Sequence, residues 1–248
     1  MKTIQLTILL LLASVQFSDA QKTITFPSID EVEIVADLYK PNSDSATFII
    51  LFHQAGWSRG EYMEIAPILN SMGYNCMAID QRSGNKVNEI DNITVRNARK
   101  AMKDTKYTDA YQDIEAAVNY TKQYLTKGKI IIWGSSYSSA LVLKYAGDNP
   151  DNVAGVLAFS PGEYFKSMGK PADFIQSSAA NIKCPSFITS AKSEKGSWWK
   201  IHEAINNTTS KSYYLPESSG NHGSRALWQK FTDNGGYWDA VKKFLKEI

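Results

Sequence analysis

The chain has 248 residues, 43% of them hydrophobic and 21% charged, and its 27 basic against 25 acidic side chains leave a formal net charge of +2. That near balance, with basic residues scattered along the sequence, argues against a nucleic-acid-binding surface, and the length suffices for one domain with a large core. His53, His202 and His222 are dispersed without ligand-like spacing to acidic or thiol partners, so a metal site is not expected.

In chain order, the first twenty residues read as an address. Lys2 supplies a positive start, Ile8 to Leu12 a short apolar core, and Ser18, Asp19 and Ala20 the small residues before a cleavage point at Gln21. A signal peptide over 1–20 implies a secreted or periplasmic protein. No later run approaches the ~20 apolar residues of a membrane span, so no stable membrane association is expected after cleavage. Residues 21–248 are then read as a single domain.

The mature chain opens with alternating residues at 22–26 and 31–39 around a turn at 27–30, which predicts an antiparallel hairpin. Six apolar runs follow at 47–53, 75–80, 129–134, 153–160, 185–191 and 211–216, separated by stretches long enough for crossover helices. This alternation predicts an α/β fold with a mostly parallel central sheet and helices on both faces. Pro67 requires the helix ending near Gly73 to start only a few residues upstream, since an interior proline costs ~3 kcal/mol. Asp109 and Gln112 resemble a capping pair for a helix carrying Tyr111, Ile114, Val118 and Leu125, which Gly128 ends. The last helix presents Trp238, Val241, Leu245 and Ile248 on one side. Residues 83–106 are polar and read as a surface excursion or partial lid. Cys76 and Cys184 lie in or beside separate apolar strands and read as buried thiols, although export would permit a disulfide. Asn92, Asn119, Asn206 and Asn207 each begin an N-x-T sequon.

The apolar run at 129–134 breaks into Gly134, Ser135, Ser136, Tyr137 and Ser138. In a G-x-S-x-G elbow a strand turns sharply into a helix around a strained serine, so the residues two before and two after it must be small. Gly134 and Ser138 satisfy this for Ser136; the alternative register would place Trp133 and Tyr137 there. Ser136 is therefore the candidate nucleophile. A serine needs a base, and the base a group that fixes its tautomer. His222 follows the last strand run in a glycine-flanked loop, and Glu194 follows the strand run at 185–191, with Glu163 as the competing acid after the preceding run. The small-residue loop after Phe52 can present a backbone N–H to a developing oxyanion, from Ala55 or, next, from Gln54, alongside the N–H of Tyr137. His53 is assigned to shaping that loop, and Asp80 and Arg82 to structure.

Taken together, "FIILFHQAGWSRGEY", "YNCMAIDQRSG", "IIIWGSSYSSA", "PSFITSAKSE" and "GNHGSRAL" occur in an order that resembles the α/β-hydrolase superfamily, particularly small dienelactone-hydrolase-like exported esterases. The resemblance implies an α/β-hydrolase fold, catalytic roles for Ser136, Glu194 and His222, and oxyanion roles for Ala55 and Tyr137. Ser138 replaces a usual glycine and Ser193 stands where an aspartate is common. The expected activity is hydrolysis of a small-molecule carboxylic ester through an acyl-serine intermediate, chemistry that requires no diffusible cofactor. An exported non-catalytic hydrolase-like binding protein, or a peptidase or acyltransferase using the same nucleophile, remains the alternative. Trp57, Tyr164, Trp198 and Trp199 are candidates for aromatic walls or for packing.

Overall fold

The computed structural model describes residues 21–206 and 210–248. The expected leader at 1–20 and the sequon residue Asn207 lie outside them.

The alternating N-terminal segments pair as the antiparallel strands β1 (Gln21–Pro27) and β2 (Glu33–Tyr39). The continuous apolar runs become β3 (Phe48–Phe52), β4 (Asn75–Ile79), β7 (Ile130–Ser135), β8 (Gly155–Phe159), β9 (Ser186–Thr189) and β10 (Lys211–Tyr214). All eight form one sheet in the order β1-β2-β4-β3-β7-β8-β9-β10, antiparallel through β2 and β4 and parallel from β4 to β10. Seven α-helices are present among the described residues: α1 (Ile65–Ser71), α2 (Thr94–Lys100), α3 (Tyr111–Tyr120), α4 (Tyr137–Asp148), α5 (Phe174–Ala179), α6 (Lys195–Ala204) and α7 (Asn234–Leu245).

The two-residue period of a strand explains why the central runs are apolar throughout. Phe48, Ile50 and Phe52 enter one core with Ile114 of α3, Leu141 of α4, Ile175 of α5 and Trp198 of α6. Ile49 and Leu51 face the opposite way, against Ile65 and Leu69 of α1 and Trp238 and Val241 of α7. Both cysteines are buried.

Two local expectations need correction. The N-terminal cap near α3 falls one turn earlier than the Asp109–Gln112 spacing suggests. Asp109 Oδ2 accepts the Lys106 N–H at 2.8 Å, because a 3-10 turn over Tyr107–Ala110 precedes the α-helix and its first free donor belongs to Lys106. Residues 83–106, read as a surface excursion or partial lid, are in part packed into the fold. They hold a two-stranded ribbon, β5 (Lys86–Val87) with β6 (Ile90–Asp91), and α2, and they bury Asn92 and Thr94; Thr94 Oγ1 accepts the Val35 N–H at 2.9 Å. Asp80 and Arg82 are structural: Asp80 pairs with Arg59 at 2.7 Å, and Arg82 lies between Asp30 and Asp113, 2.7 Å from each.

Chain direction across the sheet positions the site. From β3 the chain moves outward to β4, then returns past β3 to β7 and continues to β8, β9 and β10. The topological switch therefore falls between β3 and β7, where the loops at the carboxyl ends of the two strands diverge and leave a crevice. The β3 loop carries Gln54 and Ala55; the β7 turn carries Ser136.

Candidate active site

Ser136 is the pivot between β7 and α4, with φ 57° and ψ −123°, a conformation that costs a non-glycine residue of order 1–3 kcal/mol and persists only where its surroundings hold it. Its N–H donates to Phe159 O at 2.7 Å. Gly134 is sterically required, since a Cβ there would lie 2.5 Å from the carbonyl carbon and oxygen of Ser138. Ser138 is more than a small replacement: its hydroxyl lies within hydrogen-bond reach of His53 O and of the Gln81 side chain, which joins the elbow to the end of β3.

The structure brings Ser136, His222 and Glu194 together from the carboxyl ends of β7, β10 and β9. His222 Nε2 is 2.8 Å from Ser136 Oγ, and Nδ1 is 2.6 Å from Glu194 Oε1. Burial pushes the Glu194 carboxyl up, but its hydrogen bonds from His222 and Ser160 outweigh that and hold it below the ordinary carboxylate value. A carboxylate only accepts, so Nδ1 carries hydrogen and Nε2 is left to accept from the serine hydroxyl. The His222 and Glu194 side chains remain 33% and 26% exposed, so the dyad opens to solvent. Between β8 and β9 the chain inserts only a short 3-10 turn (Lys166–Met168) and α5, with no lid domain.

Glu163, the competing acid, is engaged elsewhere: its carboxylate accepts the N–H groups of Ile175 and Gln176 at 2.8–3.0 Å, at the start of α5. Ser160, which no motif singled out, links acid and base. It adopts φ 59°, donates to Glu194 Oε2 at 2.7 Å and accepts the Gly223 N–H at 2.8 Å. Its only sequence signal is its place at a strand end before Pro161.

The loop after β3, the candidate oxyanion loop, is held from both sides. His53 is fully buried, and burial pulls its pKa down to about 4, so the ring is neutral. Nε2 accepts the Gln81 N–H at 2.9 Å and lies 3.1 Å from Asn92 Nδ2, which leaves Nδ1–H to donate to Gln54 O at 2.8 Å. In a trans peptide the carbonyl and the next N–H point oppositely, so gripping Gln54 O fixes the direction of the Ala55 N–H. The Gln54 N–H is taken by Glu61 Oε2 at 2.7 Å. Gln54 is thereby removed as an oxyanion donor, whereas neither the Ala55 nor the Tyr137 N–H has an acceptor among the described residues. Asn92, in the segment without an assigned role, thus buttresses this loop.

Of the aromatic candidates, Trp198 is wholly buried in the core with Nε1 donating to Ser190 Oγ at 2.8 Å, and Trp57 stacks on Trp228 with ring centroids 5.2 Å apart. Tyr164 lies beside the site, its hydroxyl donating to Ser160 O at 2.6 Å. Trp199 packs on His202 and beneath the Lys195 ammonium. Among the described residues no group of three or more His, Cys, Asp or Glu side chains is placed to hold a metal ion.

Glu61 carries a second electrostatic anomaly. Burial pushes its carboxyl up to about 7, against hydrogen bonds from Ser135 and Gln54. A folded-state value above the unfolded 4.5 means that its favourable contribution is complete below 4.5 and is lost as pH rises through 7. A Glu61→Gln protein lacks this titration. Its stability relative to wild type should therefore rise by about 3 kcal/mol between pH 4 and 8, measured by denaturant unfolding at each pH; a constant difference would contradict the assignment. His53 acts in the opposite sense, contributing stability present above 6.5 and lost as pH falls towards 4.

A family model described as Hydrolase_4, serine aminopeptidase S33, matches residues 43–180, more than half of the chain. No curated protein matches the sequence significantly. Among solved structures, an esterase from Pyrococcus furiosus is 20% identical, with 91% of each chain covered and a TM-score of 0.69. A dienelactone hydrolase from Anabaena variabilis is 13% identical over 92% of this chain and 99% of its own, also at 0.69. A monoacylglycerol lipase from Paleococcus ferrophilus is 13% identical over 92% and 99%, at 0.60. At these identities the likeness establishes a shared fold.

Proposed function

Since this chain belongs to the Hydrolase_4 (serine aminopeptidase S33) family of α/β-hydrolases, we propose that it is a serine hydrolase that cleaves small carboxylic esters through an acyl-serine intermediate. The observation that carries this reading is the continuous relay Ser136–His222–Glu194 at 2.8 and 2.6 Å around a serine held at positive φ. His222 Nε2 takes the hydroxyl proton as Oγ attacks the acyl carbon, and the oxyanion that forms is met by the N–H groups of Ala55 and Tyr137. On collapse, the imidazolium returns the proton to the departing alkoxide, which leaves as the alcohol. A water then gives its proton to His222, attacks the acyl carbon and releases the acid with Ser136 restored. Glu194 stabilises the imidazolium without itself taking the proton.

The leader-like sequence at 1–20 supports placing this activity outside the cytoplasm, in a single catalytic domain over 21–248. The family description favours a second reading, in which the same acyl-serine forms from a peptide bond; an amine then takes the proton in place of the alkoxide. A serine-directed phosphonate probe tests the shared step. Labelling mapped to Ser136, with turnover of short acyl esters and none of aminoacyl amides, is the expected result. A protein inert to the probe and to both substrate classes would leave the non-catalytic binding protein as the better reading.

A further inference from the structure

Four acidic side chains are buried among the described residues, and three of them have an arginine: Asp37 and Asp80 share Arg59, and Asp113 has Arg82. Glu61 has no arginine in salt-bridge contact among the described residues and is wholly buried. Its partners are instead the neighbours of the reacting groups. Oε2 accepts the N–H of Gln54, the residue before Ala55; Oε1 accepts the hydroxyl of Ser135 at 2.6 Å, the residue before Ser136. Ser135 Oγ in turn accepts the Ser224 N–H at 2.9 Å, two residues beyond His222. The turn carrying Glu61 is itself pinned, its carbonyl accepting from Trp228 Nε1 at 2.9 Å and the adjacent Tyr62 hydroxyl donating to Phe52 O at 2.7 Å.

We propose that Glu61 is a positioning residue that locks the oxyanion loop, the nucleophile elbow and the base loop into one frame, and that it does so fully only as a carboxylate. The inference rests on the serine-hydrolase reading of the site and adds a built-in pH control to it.

The physical reason lies in donor counting. A carboxylate accepts at both oxygens, with charge-assisted bonds roughly twice as strong as neutral ones. When Glu61 is protonated, the Gln54 N–H cannot reverse its role, so the proton must sit on Oε1 and face Ser135. The Ser135 hydroxyl then has to accept from Glu61 and find another acceptor for its own hydrogen. One is close at hand: Gln54 Oε1 is buried and has no partner among the described residues, and it crowds the same face of Gly223 as Ser135 Oγ. Protonation therefore re-pairs the hydroxyl that supports the Ser224 N–H and weakens the frame beneath the reacting groups. Burial places this transition at about 7. The charged and titratable groups facing Glu61 are His222 and Arg225 from the base loop, Tyr62 from its own turn and Tyr137 from α4. Of these, His222 and Arg225 favour the carboxylate.

The test compares kcat for a short acyl ester from pH 5.5 to 9 in wild type and in Glu61→Gln, both shown to be folded by thermal unfolding. His222 is common to both proteins but faces the Glu61 charge, so its ionisation is followed in each by imidazole NMR and divided out, and the remaining ratio of kcat values reports positioning by Glu61. It should climb through one ionisation near pH 7 to about 10- to 100-fold, below the loss of a whole oxyanion donor, with KM within about twofold. A ratio flat with pH would overturn the proposal. Ser135→Ala gives an independent readout if Glu61→Gln does not fold. It removes a hydrogen bond that lowers the Glu61 pKa, so the acid-side midpoint of kcat should move to higher pH, and an unmoved midpoint overturns the proposal. Wild type without turnover or Ser136 labelling would overturn the serine-hydrolase reading and this inference with it. An active wild type with a flat ratio would overturn the inference alone.

Discussion

Ser136→Ala should lower kcat for a short acyl ester by about 10⁴- to 10⁶-fold and abolish phosphonate labelling, with the fold unchanged. The magnitude follows from what is left. Without Oγ there is no covalent route, and the remaining machinery is the pair of amide donors and the cleft, which retain a modest acceleration over water. Stability should change little, since alanine at φ 57° carries the same backbone strain and the one side-chain hydrogen bond lost is to the part-exposed His222. Substrate dissociation constants should change little. Residual turnover above about 1% of wild type would show that another nucleophile acts.

The second large effect is expected at the acid, where Glu194→Gln should cost about 10³- to 10⁴-fold in kcat. In the native site Oε2 accepts from both the Ser160 hydroxyl and the Ala191 N–H, the latter at 3.2 Å. An amide NH2 cannot face that backbone donor, so glutamine turns its NH2 towards His222. Nδ1 must then accept, the hydrogen moves to Nε2, and the ring loses its capacity to take the serine proton. Glu163→Gln should leave kcat within about twofold and cost up to about 1 kcal/mol of stability, because its carboxylate serves the first turn of α5. Kinetics and unfolding of the two variants side by side separate the roles. Equal losses would contradict the geometry.

The contrast between the two glutamates shows what a sequence makes visible. Strand runs are legible because a sheet covered on both faces requires near-continuous apolar residues, and all six predicted runs match β3, β4 and β7 to β10 within a few residues. Ser136 is legible because the sterics of an elbow are local: Gly134 and Ser138 sit two residues either side of it. His222 and Glu194 are legible only through chain order, as polar residues beyond the last strands. Glu61, Ser160 and Asn92 escape because their meaning lies in partners far along the chain. Glu61 and Ser135 are 74 residues apart, and Glu61 stands in a polar stretch beside Arg59 and Glu64 that reads like a solvated turn. The segment around Asn92 has no apolar period strong enough to announce that it is packed. The capping pair at Asp109 misleads for a related reason, since side-chain spacing does not reveal that a 3-10 turn precedes the helix.

His222 hangs from the margin of the sheet. Its strand, β10, has four residues and among the described residues pairs with β9 alone, whereas Ser136 leaves β7, flanked by β3 and β8. Short edge elements open at lower free energy than central ones. The loop beyond it is nevertheless moored inboard, Gly223 N–H to the Ser160 hydroxyl after β8 and Ser224 N–H to the Ser135 hydroxyl at the end of β7, so loosening of that border leaves the imidazole tethered to the middle of the sheet.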